Sequence, residues 1–253
     1  MWWGGSERVA VYLGETLVGV ARVGNAEAAT VVWQPVEGAT AGFEWAVKWL
    51  GDQPCRNRAR TLDVSLSGSL ARPFVLEPII GLKSRREAVD VAVALAPAAT
   101  GLAGPCMVWL DDWVAGQRCI AVAVDAQVRN QLELAAAAQG MKLAALRPWW
   151  SVALDAANAT SNDSMQLLAV EDADSITVFS SEGNIGYTAL ATYAPKPASI
   201  QARAVVTRAA MAGNVSVNGI AVASMGSSSV LSNGGVTSNA PAQSFVPLVE
   251  RWQ

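Results

Sequence analysis

Residues Val9 to Ala21 read VAVYLGETLVGVA, and the fold follows from how this stretch is taken. Two apolar runs flank Gly14, Glu15 and Thr16, which predicts a β-hairpin over about Arg8–Leu13 and Leu17–Val23. A glycine in such a turn lets backbone N–H groups come close to an anion. Whether this turn does so depends on the rest of the chain.

Working outward, ATVVWQPV (29–36) is a third strand closed by Pro35, and AGFEWAVKWL (41–50) a helix with Phe43, Val47 and Leu50 on one face. Thr40 is its expected N-cap and GDQP (51–54) its stop. RTLDVSLSGSLARPFVLEP (60–78) reads as two strands split by the turn SGS. SRREAVDVAVALAP (84–97) has Ser84 and Glu87 at capping-box spacing, which predicts a helix ending at Pro97. GPCMVWLDDWVAGQRCIAVAVD (104–125) supplies two more strands around a turn. AQVRNQLELAAAAQG (126–140) is a helix capped by Asp125, striped by Val128, Leu132, Ala135 and Ala136, and stopped at Gly140. MKLAALRPWW (141–150) is a strand leading into the short helix SVALDAAN (151–158).

The polar stretch NATSNDS (158–164) marks a change of composition, after which the opening order recurs. MQLLAV (165–170), SITVFSS (175–181) and NIGYTALATY (184–193) are three strands, ASIQARAVVTRAAMAG (198–213) a helix and NVSVNGIAVAS (214–224) one more strand. The rest is Gly/Ser/Asn-rich and reads as loosely ordered before a short apolar end, SFVPLVERWQ (244–253). The expected organisation is α/β, with two subdomains over residues 1–157 and 158–224 and a tail over 225–253.

Composition removes several functions. The chain has 253 residues, 52% of them hydrophobic, enough for a substantial core. A formal net charge of -3 gives no support for nucleic acid as a partner, which needs a basic surface. There is no histidine, which excludes Ser-His-Asp and Cys-His catalysis and every histidine-containing metal site. Cys55, Cys106 and Cys119 are scattered and read as small buried hydrophobes of a reducing compartment. The start MWWGGSERVAV has no cationic region followed by a long apolar one, and no apolar run is long enough to span a bilayer. The expectation is a cytoplasmic protein with no direct membrane span.

Two halves that each open on a three-strand meander and continue into helix–strand units resemble the actin-like (ribonuclease H-like) fold, with the second half abbreviated. VLEPIIGLKSRREAVDVAVALA (75–96) resembles the pilus-assembly proteins in its strand, proline and helix. IAVAVDAQVRNQLELAAAAQGMKLAALRP (120–148) resembles their strand, capped helix, turn and strand, and WWSVALDAAN (149–158) their lead into the second half. Over about Arg8 to Ser224 the chain is thus similar to the PilM family of type IV pilus systems and to the cytoplasmic part of the GspL family of type II secretion.

The departures from that pattern bear on function. Family members that bind ATP carry D-x-G-x-S/T in the first turn and a similar D-x-G turn opening the second half, where aspartate holds Mg²⁺ through water. Here Tyr12 stands at the aspartate position, Gly14 and Thr16 remain, and Glu15 adds negative charge. The second turn, AVEDADSIT (169–177), has no glycine and carries Glu171, Asp172 and Asp174. Such carboxylates repel a triphosphate unless a metal intervenes. The late glycine pair of the family is matched only by Gly219 in VNGIA (217–221); Gly234 and Gly235 lie in the tail. Gly14, Thr16 and Gly219 are therefore degenerate nucleotide-site positions, expected to be inactive. No catalytic residue, metal or cofactor is expected.

Asp111 and Asp112, between Trp109 and Trp113, read as solvated turn acids rather than catalytic ones. Ten tryptophans are unusual in a chain of this size; core packing is the default for most of them, and some are expected to be partly exposed. Trp149 and Trp150 are adjacent, so on a strand they cannot both point inward. Some of this aromatic surface is expected to meet other proteins.

The reading is a non-catalytic scaffold at the inner membrane, held there through its partners. A divergent ATP-binding PilM-like protein with nucleotide between the subdomains is the alternative, and a sugar-kinase-type enzyme lacks any D-x-G motif to support it. By resemblance, the partner is the cytoplasmic peptide of a membrane-anchored pilus or secretion assembly protein, or a secretion ATPase; homodimerisation is left open. The apolar end SFVPLVERWQ (244–253), a second copy or a partner is expected to close the second sheet.

Overall fold

The computed structural model describes residues 7–22, 31–53, 60–160, 167–181, 187–196, 199–212 and 221–224. Gly219, Gly234, Gly235, Cys55 and the end 225–253 lie outside the described residues.

The opening hairpin forms as its alternation requires. Strand β1 (Glu7–Leu13) pairs antiparallel with β2 (Leu17–Arg22), Leu13 opposite Val18, and β2 pairs with β3 (Val31–Pro35). Helix α1 (Ala39–Asp52) then returns the chain so that β4 (Arg60–Leu66) lies parallel to β1 on its other side. Helix α1 buries Phe43, Val47 and Leu50 against the face carrying Leu13 and Val18. Its N-cap is Gly38, without a side-chain cap, rather than Thr40. Thr40 sits inside the first turn and donates its hydroxyl to Gln131 Oε1 at 2.7 Å, a tertiary contact that overrides local capping preference.

The two strands flanking SGS belong to different sheets. After β4 the chain leaves the first sheet for β5 (Ala71–Leu76), α2 (Arg85–Thr100), β6 (Cys106–Leu110) and β7 (Cys119–Asp125). These strands form a three-stranded antiparallel sheet in the order β5-β7-β6, with α2 packed on it. Ser84 caps α2, its Oγ accepting the Glu87 N–H at 3.2 Å. Pro97 does not end it. The helix runs on to Thr100, and Gly101 closes it in the left-handed region at φ 71°. The N–H that Pro97 lacks would have bonded to the carbonyl of Val93, a residue on the exposed side, where water can serve instead.

Helix α3 (Ala126–Ala138) is capped by Asp125, whose carboxylate accepts the Gln127 N–H at 2.8 Å. It leads into β8 (Met141–Pro148), parallel to β4, and completes a five-stranded sheet in the order β3-β2-β1-β4-β8. Helix α4 (Trp149–Thr160) follows at once.

Strands β9 (Leu167–Glu171), β10 (Ile176–Ser181) and β11 (Tyr187–Tyr193), helix α5 (Ser199–Ala212) and strand β12 (Ala221–Ser224) form the second half. Its order is β11-β10-β9-β12, with β9–β10 and β10–β11 antiparallel and β12 parallel to β9. That repeats the first four positions of the five-stranded sheet, in order and in sense.

One core cluster runs from Val11 and Leu13 through α4 into Leu168, Val170 and Phe179 of the second half. Trp149 and Trp150 are both buried, at 1% and 3% exposure. They form the first turn of a helix, not the end of a strand. That helix is wedged against β8, β9 and β12, so neighbouring positions on it are both covered.

Candidate functional site

Parallel pairing of β1 with β4, Leu13 opposite Leu66, brings the turns that follow them side by side. The Ser67 N–H donates to the Leu13 carbonyl at 2.8 Å and locks the pair together. The carboxyl ends of adjacent parallel strands are where ligands bind in open α/β sheets. Opposite them stands the β9–β10 turn of the second half, Asp172 to Ser175.

That turn is built around one side chain. Asp172 Oδ1 accepts the N–H groups of Asp174 (3.1 Å) and Ser175 (2.7 Å), an Asx turn, while the Asp172 N–H donates to the Ser175 carbonyl at 3.1 Å. Its Oδ2 accepts the Ser175 hydroxyl at 2.8 Å and the Gly68 N–H of the first half at 2.7 Å. Asp174 reaches across as well. Its Oδ1 accepts the Ser69 hydroxyl at 3.1 Å, and its Oδ2 accepts the N–H of Glu15 in the opening hairpin turn.

Glycine is required at two points of this contact. A Cβ on Gly14 would lie 2.7 Å from Asp174 Oδ2, and one on Gly68 would lie 2.5 Å from Thr177 Oγ1 and 2.6 Å from Ser175 Oγ. The glycine of the hairpin turn thus does let an anion approach, but the anion is the chain's own carboxylate.

Tyr12, at the position where relatives are expected to carry aspartate, is fully buried. Its hydroxyl accepts the Ala173 N–H at 3.3 Å, and its ring meets Trp33 edge-on, centroids 5.9 Å apart. Burial, then the charges of Asp172 and Asp174, push the phenol well above its usual range, so it stays neutral. Burial, with Asp174 beside it, also raises the Asp172 carboxyl, to about 7, against the pull of its hydrogen bonds from Gly68, Ser175 and Asp174.

Gly14 and Thr16, expected as degenerate nucleotide-site positions, separate here. Gly14 meets Asp174, whereas Thr16 is exposed and offers its carbonyl to the Val36 N–H at 3.0 Å. The Glu15 side chain is exposed too. Glu171 does not join the aspartates: it pairs with Lys196 Nζ at 3.1 Å, and that ammonium also donates to the Asp172 carbonyl at 2.7 Å. Ser67, Gly68 and Ser69 were legible only as a turn, although their place just after a strand parallel to β1 is the signal that marks them. Asp111 and Asp112 are exposed, as turn acids should be.

A nucleotide with Mg²⁺ is what this fold implies between such turns. The residues present do not fit it. The Gly68 and Glu15 N–H groups are taken by carboxylates, a tyrosine stands where ATP-binding relatives are expected to carry aspartate, and two buried aspartates would face a phosphate chain placed between these turns. Among the described residues no cluster of His, Cys, Asp and Glu is arranged to hold a metal ion.

A second feature lies between the small sheet and α4. A cavity of about 340 Å³ is lined by Trp109 and Ile120 of the small sheet, Leu146 and Arg147 of β8, and Trp150 and Leu154 of α4.

No family model and no curated protein sequence matches the chain. Solved structures do. The cytoplasmic domain of EpsL, an inner-membrane component of the type II secretion system of Vibrio cholerae, matches at TM-score 0.57 and 14% identity, over 98% of this chain and 94% of that one. A PilM–PilN type IV pilus biogenesis complex matches at TM-score 0.58 and 12% identity, over 91% and 86%. A Bacteroides thetaiotaomicron protein with an actin-like ATPase fold and unknown function matches at TM-score 0.61 and 8% identity, over 92% and 86%. With strand orders that repeat between its halves, the chain has the actin-like fold.

Proposed function

We propose that this protein is a non-catalytic actin-like scaffold that works by protein–protein contact in an inner-membrane assembly platform of the type IV pilus or type II secretion kind. The observation that carries the reading is the seating of Asp172 and Asp174 on the Gly68 and Glu15 N–H groups and the Ser69 hydroxyl. A protein that fills its phosphate position with its own acids has kept the fold and given up the nucleotide. The similarity to an inner-membrane secretion component and to a pilus biogenesis complex supports the assembly role. Among the described residues no helix is long and apolar enough to cross a membrane, which suits attachment through partners.

ATP with Mg²⁺ is expected to leave the melting temperature unchanged. A ligand at about 100 times its dissociation constant would add about 2.7 kcal/mol, a visible shift. Micromolar binding by calorimetry would overturn the reading in favour of a divergent ATP-binding protein, with Gly14, Thr16 and Gly219 as contacts.

For the partner, the cavity beside α4 offers aromatic and aliphatic walls with Arg147 and Asp111 among its polar groups. A short extended peptide from a membrane-anchored partner suits it, since a preformed groove costs little ordering. Hydrogen exchange with such a cytoplasmic peptide should show protection in β6, β7 and the start of α4, and Trp109→Ala should weaken binding at least about tenfold, as loss of a buried aromatic anchor does. No protection anywhere in the chain would sink the partner reading.

A further inference from the structure

Among the described residues, the second half meets the turns after β1 and β4 through the acidic β9–β10 turn and Thr177 of β10, and that turn carries two buried carboxyls. Asp172 and Asp174 are 2% and 5% exposed. The groups facing them are the Tyr12 hydroxyl from β1, the Glu15 N–H from the hairpin turn, and Ser67, Gly68 and Ser69 from the turn after β4. Arg72 of β5 is bound to the Ser69 carbonyl at 3.1 Å, and the Lys196 ammonium to Glu171 and to the Asp172 carbonyl oxygen. Among the described residues, neither of these cations reaches a carboxylate of the pair. We propose that the Asp172–Asp174 turn is a proton-sensitive latch, which fastens the second half to the first while the pair shares a proton and lets go when both carboxyls are ionised.

The geometry provides for the proton. All four bonds that Asp172 makes are accepted from donors, which suits an ionised carboxylate. Asp174 likewise accepts the Glu15 N–H and the Ser69 hydroxyl, which lies 2.7 Å from the Ser67 hydroxyl in a contact where either can donate. The Ser175 hydroxyl, which donates to Asp172 Oδ2, can turn so that its oxygen accepts a proton held on that carboxyl. Burial, and after it the charge of Asp174, push the Asp172 carboxyl up to about 7.

The sign follows from linkage. A carboxyl raised in the folded state keeps its proton there at a pH where the unfolded chain has lost it. Its contribution to stability is therefore fully present below about 4 and is lost as pH rises through about 7. The chain has no histidine, so no ordinary side chain has its usual titration between about pH 5 and 8. The cysteine and tyrosine groups shifted here move further up from 9.0 and 10.0.

The test is a melt of the wild-type protein and of Asp174→Asn from pH 5.5 to 8, with a carbon NMR titration of the wild-type aspartates and hydrogen exchange at the Glu15 and Gly68 amides. The wild type should lose roughly 5 °C or more across this range. Asp174→Asn should lose less, because the neighbouring charge is gone while the burial of Asp172 remains. One aspartate should titrate above pH 6, and protection of the two amides, corrected for intrinsic rates, should fall with it. Wild-type stability that is flat with pH, or no aspartate titrating above pH 6, would overturn the latch. So would a titration that leaves the two amides equally protected. If Asp174→Asn does not fold, the wild-type titration and exchange decide alone.

Discussion

Trp150→Ala should lower the unfolding free energy by about 3–5 kcal/mol, the usual cost of deleting a large buried aromatic ring. The ring is 3% exposed and lies 5.2 Å, centroid to centroid, from Phe179 of β10. Its indole N–H donates to the Ala71 carbonyl at the start of β5, at 2.8 Å. One side chain on α4 thus touches the small sheet and the second half together. The loss is a large share of a total that is only about 5–15 kcal/mol in most domains. Urea denaturation measures it, and Trp150→Phe separates the parts. Phenylalanine keeps most of the apolar contact and loses the hydrogen bond, so it should cost only about 1–2 kcal/mol. A change below about 1 kcal/mol for the alanine variant would mean that the ring is not what joins these layers.

The role of that tryptophan could not be read from its neighbours in the chain. Local chemistry announced what local chemistry decides. Ser84 and Asp125 cap the helices they precede, and the alternation in VAVYLGETLVGVA makes the hairpin. Thr40 failed as a cap because Gln131, far along the chain, took its hydroxyl. Pro97 failed as a stop because its missing N–H falls on a side of α2 that water reaches. The double tryptophan was misjudged because two adjacent rings can both be buried only on a helix covered from both sides, and the second cover comes from strands β9 and β12.

The site divides in the same way. Tyr12 in place of aspartate and the acids of the second turn were visible as departures from the family pattern. Their meaning was not, because the bond from the Glu15 N–H to Asp174 joins positions 159 residues apart. A carboxylate that repels a phosphate and one that replaces it look alike in sequence. They differ only in whether donors face it.

Asp172→Ala tests that difference by removing the acceptor and leaving the donors. Three backbone N–H groups, of Gly68, Asp174 and Ser175, and the Ser175 hydroxyl all point at its two oxygens. Each buried N–H left without a partner costs about 1–3 kcal/mol, while the hydroxyl can rotate to another acceptor. Against this, the variant removes a buried charge and its repulsion with Asp174, which is what lifts the Asp172 carboxyl to about 7. The donors outnumber the charges, so the net change should be destabilising, by about 3 kcal/mol at pH 5.5 where the wild-type pair holds its proton. At pH 8 the wild type bears the cost of the second charge, and the same substitution should cost less, by about 1–2 kcal/mol. Asp172→Asn keeps the volume and one oxygen but turns an NH₂ group toward two donors, so it should fall between wild type and alanine. Urea melts of the three proteins at both pH values check the order. An alanine variant as stable as wild type at both pH values would mean that the aspartate is not the acceptor that holds this turn in place.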